Sequence, residues 1–134
     1  MTVQTLADRN LFDVLYLSED AAEKEITGVY CCDLLSIAMT KVPAGAAWVT
    51  VMSNLNTLAV ASLTEAACVI LAEGVAVEEL LLERAKQQGI CVFRTEKPVF
   101  EAALAVHTSI VKLRCSHVNL REQEVMRKDD TNFL

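Results

Sequence analysis

The sequence is short of the residues that build several common kinds of site. It holds four glycines, two prolines and seven aromatics, and none of the glycines opens a G-x-x-x-x-G-K-[ST] run. Without that run there is no loop whose backbone N–H groups cradle a nucleoside triphosphate in the P-loop manner. Two histidines occur, His107 and His117, and no Ser-His-Asp or Cys-His arrangement can be assembled around either. The longest apolar run, residues 66–72, is far below the roughly 18 residues that span a bilayer. The opening MTVQTLADRN lacks a basic stretch followed by an apolar core, so it does not read as a signal peptide. A cytoplasmic protein without membrane contact is expected.

Positive charge is scarce as well. The formal net charge is −6, and residues 1–111 carry seven Lys and Arg against fourteen Asp and Glu. An acidic body repels phosphate backbones, which argues against nucleic acid as a partner. The five cysteines are an odd number and contain no C-x-x-C pair, which argues against a disulfide framework. Cys68 and Cys91 lie in apolar runs and read as small hydrophobes. Cys31 and Cys32 are neighbours on a strand, so they point to opposite faces and do not share one metal. No metal site and no cofactor is expected.

What the chain does have is aliphatic residues. Its hydrophobic fraction is 53%, above the usual range of about 45–50%. Four times an apolar, β-rich run is followed by a polar break and a segment of helical period. The strands are 26–32, 47–52, 67–72 and 90–94; the helices are 33–41, 54–64, 77–88 and 98–113. Near-continuous apolar strands such as CVIL imply burial on both faces. The alternation of strand and helix implies βαβ units. The expected fold is a three-layer α/β/α sandwich around a mostly parallel sheet of four to five strands. A short helix over 2–9 and an edge or antiparallel strand over 12–17 precede it, with a charged loop over 18–25. One domain over residues 1–113 and a charged tail over 114–134 complete the expected organisation.

The punctuation fits. Gly89 follows a helix where the chain needs a positive φ. Asp33 is expected to start one helix, Ser53 or Asn54 the next, and Pro98 stands at a first-turn position. On the last helix Phe100, Leu104, His107 and Val111 form a stripe that is expected to pack, carrying His107 into the core.

Three stretches resemble the DRTGG-domain family: EITGVYCCDLLSIAM, AAWVTVMSNLNTLAVASLTEAACVILAEG, and LERAKQQGICVFRT followed by FEAA. The likeness covers roughly residues 2–113 and extends to the amino-terminal domain of HPr kinase/phosphorylase. It implies a regulatory domain that dimerises and has no catalysis of its own. The family's D-R and T-G-G elements read here as Met52-Ser53-Asn54 and Ala72-Glu73-Gly74, with Gly74 alone retained. A protein-kinase label would be misplaced on a chain without a P-loop.

In open parallel sheets ligands sit at the carboxyl ends of strands, where helix N-termini favour anions. The candidate binding residues are therefore Asp33, Ser53, Asn54, Asn56, Glu73, Gly74, Thr95 and Lys97, with no catalytic residue among them. The elbow 53–56 reads first as a plain helix cap and second as a cap that also contacts a ligand. The expected function is a non-catalytic, ligand-sensing homodimer that takes a nucleotide or other small anion. The alternatives are a small enzyme with Asp33 and Glu73 as acid and base, or an adaptor that docks onto a larger redox or kinase protein.

Overall fold

The computed structural model describes residues 1–116, and the charged tail beyond them, with His117, lies outside the described residues. The elements in chain order are α1 (Val3–Asp8), β1 (Asp13–Tyr16), α2 (Glu19–Ala22), β2 (Gly28–Cys31), α3 (Leu35–Lys41) and β3 (Ala46–Thr50). They continue with α4 (Leu55–Leu63), β4 (Cys68–Leu71), α5 (Glu79–Gln88), β5 (Cys91–Arg94) and α6 (Val99–Ser116). The sheet has five strands in the order β1-β5-β4-β3-β2. β2 to β5 run parallel, and β1 closes the far edge antiparallel to β5. The sequence-based fold class holds.

Strand alternation builds a core on each face. Ala47, Val49, Cys68, Ile70, Cys91 and Phe93 meet Val3 and Leu6 of α1 and Ala102, Val106 and Ile110 of α6. Ala46, Trp48, Val69, Leu71 and Val92 meet α3, α4 and α5 through Ala38, Leu58, Ala61, Leu81 and Ala85. Trp48 is fully buried, and its indole N–H donates to the Cys32 carbonyl at 3.0 Å. The three connections between successive parallel strands thus share one face, as right-handed crossovers require when the strand order advances in one direction. The connection after β5 leaves to the other face.

Local caps explain most boundaries. Thr2 and Ser18 accept N–H bonds at the starts of α1 and α2. α5 ends at Gly89, whose φ of 67° lies in the left-handed region. Three expectations fail. Residues 18–25 are not a bare loop, because Ser18 caps the short helix α2. Leu34, not Asp33, stands at the N-cap of α3 and makes no side-chain cap bond. The stripe Phe100, Leu104, His107, Val111 faces outward and His107 is exposed. α6 instead lays Ala102, Val106 and Ser109 on the sheet. These small residues let the helix approach closely, which the larger side chains of the stripe would prevent.

Candidate functional site

The register places the carboxyl ends of all four parallel strands along one rim: Cys31 pairs with Val49, Thr50 with Leu71, and Leu71 with Arg94. Every candidate residue follows one of these ends. What the side chains do there is mostly internal bracing.

Asp33, after β2, reaches across to β3. Its Oδ1 accepts from the hydroxyl of fully buried Thr50 at 2.8 Å and from the Val51 N–H at 2.9 Å. The Thr50 hydroxyl in turn accepts from the Met52 N–H at 3.2 Å. Ser53 ties the β3–α4 loop to the β4–α5 loop by donating to the Ala76 carbonyl at 2.7 Å. Asn54 is the N-cap of α4, with its side-chain oxygen accepting from the Thr57 N–H at 3.2 Å. The Thr57 hydroxyl closes the elbow from inside by donating to the Met52 carbonyl at 2.7 Å. Asn56 is exposed one position into the helix.

Glu73, Gly74, Thr95 and Lys97 form a second cluster, where the connections after β4 and β5 part to opposite faces. The Glu73 N–H donates to the Lys97 carbonyl and the Gly74 N–H to the Thr95 carbonyl, both at 2.9 Å. Glu73 and Gly74 have φ of 63° and 67°, and the Glu73 carboxylate accepts from the Val99 N–H at 2.8 Å, at the start of α6. Thr95 is buried, and its hydroxyl accepts from the Lys97 N–H. The Lys97 ammonium turns toward β1: it donates to the Leu11 carbonyl at 3.2 Å and lies 5.9 Å from the Phe12 ring centre.

Sequence reasoning missed Arg94, the last residue of β5. Its guanidinium donates to the carbonyls of Val75 and Gly74 at 2.9 Å each, and Glu96 sits 3.2 Å away. Arg94 thus joins Lys97 as a cation of the rim. A lone arginine closing an apolar strand at a parallel strand's carboxyl end is the signal that would have pointed to it. Thr50 was missed too, because nothing local distinguishes a strand threonine that holds an aspartate 17 residues away.

Two conclusions follow about chemistry. Asp33 and Glu73 follow strands two apart in the sheet, about 10 Å across it, and each is bound by its own neighbours. They do not form a shared acid–base pair. The helix ends also differ. The α6 N-terminus already holds the Glu73 carboxylate and has Glu101 in its first turn. α4 has no acidic residue in its first turn, and among the described residues the N–H groups of Leu55 and Asn56 find no acceptor. Its unpaired positive end faces the rim.

No protein-family model matches the chain, and comparison with curated proteins gives no match. Among solved structures it is similar to the CBS and DRTGG domains of the regulatory region of Clostridium perfringens pyrophosphatase, complexed with the activator diadenosine tetraphosphate. The TM-score is 0.58 at 15% identity, covering 75% of this chain and 44% of that one. The fold is DRTGG-like. At this identity the likeness carries the fold alone, and the chain spans less than half the length of that regulatory region. None of the helices among the described residues is long and apolar enough to cross a membrane.

Proposed function

We propose that this DRTGG-like chain is a non-catalytic regulatory module that senses a nucleotide or related small anion at the strand-end rim. It works as a cytoplasmic homodimer with its domain over residues 1–113, and its kinship reaches the amino-terminal domain of HPr kinase/phosphorylase. The observation that carries the reading is the uncompensated N-terminus of α4, with Asn54 and Asn56 exposed beside it. Two unpaired N–H groups and the helix dipole attract a phosphate there. Ser53 links this elbow to the β4–α5 loop, which Arg94 also holds. A ligand at α4 thereby acts on two loops at once, as a sensor requires. The nucleotide activator of the clostridial regulatory region supports the ligand class.

A thermal-shift titration of the full chain against diadenosine tetraphosphate, ATP, AMP and inorganic phosphate tests this. A ligand that binds only the folded state stabilises it by about 2.7 kcal/mol at one hundred times Kd. A nucleotide-dependent rise in Tm is expected, with no nucleotide turnover in the same samples. Unchanged Tm with every nucleotide at millimolar concentration would refute the proposal.

A further inference from the structure

α6 is apolar on two sides. Its inner face buries Ala102, Val106, Ser109 and Ile110. Its outer face carries Phe100 at 72% exposure, Leu104 at 48% and Val111 at 42%, with exposed His107 between them. A surface helix normally turns charged and polar residues outward. Here the outward positions 100, 104, 107 and 111 advance by four, three and four. Steps that alternate between four and three are those of the narrow seam along which two helices pack knobs into holes.

We infer that the outer face of α6 is a self-association surface, on which α6 of a second copy packs antiparallel about a two-fold axis near residues 106 and 107. Charge selects this occupant and direction. Glu101 and Lys112 are exposed on the same flank of the seam, near opposite ends of the helix. Neither takes part in an ion pair within the chain among the described residues. With a rise of about 1.5 Å per residue, the antiparallel arrangement sets Glu101 of each copy level with Lys112 of the other. A parallel arrangement puts this flank of the two copies on opposite sides of the seam, so Glu101 and Lys112 find no partner there. In the antiparallel register Leu104 falls between His107 and Val111 of the second copy, so the apolar positions cover one another. One patch contacts itself, as a two-fold dimer requires.

The inference rests on the homodimer reading and names its surface, so the test separates the two. Light scattering of the full chain at micromolar concentration is expected to give twice the 14.7 kDa chain mass. Leu104→Glu, at an exposed position, is expected to raise the dissociation constant at least about thirtyfold while the thermal melt stays cooperative. Glu101→Lys is expected to weaken the dimer up to about fivefold, and adding Lys112→Glu to the same chain restores it. A wild-type dimer that survives Leu104→Glu overturns this surface and leaves dimerisation standing. A wild-type chain of monomer mass at every concentration overturns both. A variant dimer weakened by Glu101→Lys but not restored by Lys112→Glu overturns the antiparallel register.

Discussion

Cys68 and Cys91 are partners across β4 and β5, both fully buried. Burial pushes the Cys91 thiol up to about 12, against a lowering influence from Lys24. Burial and then the neighbouring Cys91 raise Cys68 well above the ordinary thiol value. Unfolding returns both to about 9, so the native state keeps protons that the unfolded chain releases. Their contribution is fully present below pH 9 and is lost as pH climbs from about 9 toward 12, at about 1.4 kcal/mol per pH unit per thiol. Urea midpoints between pH 8 and 10.5 are expected to fall more steeply for wild type than for Cys91→Val. Parallel slopes would show that the Cys91 thiol titrates alike in the folded and unfolded chain. Burial of these cysteines was legible because the apolar run around each is local. The partners of Asp33, Ser53 and Glu73 lie 17 to 26 residues away, and no periodicity carries such a distance.

The elements show the same division. Asn54 and Gly89 stand where sequence places them, because a cap and a left-handed turn depend on a few neighbouring residues. α6 was found, but its inward face was misjudged: apolar spacing marks two faces there, and only the sheet decides which is buried. Its N-terminus is held from outside, by the Glu73 carboxylate on the Val99 N–H. Glu73→Ala is expected to cost about 1 kcal/mol in urea unfolding, the value of a lost side-chain cap. Glu73→Gln keeps an acceptor and is expected to cost less than half of that. Equal losses would mean that charge at the helix end matters and the hydrogen bond does not.

For the whole molecule, the strand order advances in one direction from β2 to β5, so no two neighbouring parallel strands open a crevice by reversing order. The connections first part to opposite faces after β4 and β5, and there Glu73 and its neighbours fill the gap. The α3 and α4 ends both lack an acidic residue in the first turn, and the account of function stands on the α4 end, where Asn54 and Asn56 are exposed. Replacing Asn54 with Asp keeps the cap and sets a negative charge at the proposed anion position. At a few ångströms and an effective dielectric between about 20 and 80, that charge costs an anion roughly 1–4 kcal/mol. Isothermal titration calorimetry of diadenosine tetraphosphate into wild type and Asn54→Asp, paired with their melting temperatures, is the most direct test. The account predicts equal melting temperatures, binding to wild type, and affinity at least about fivefold weaker in the variant. An unchanged Kd in Asn54→Asp would contradict it.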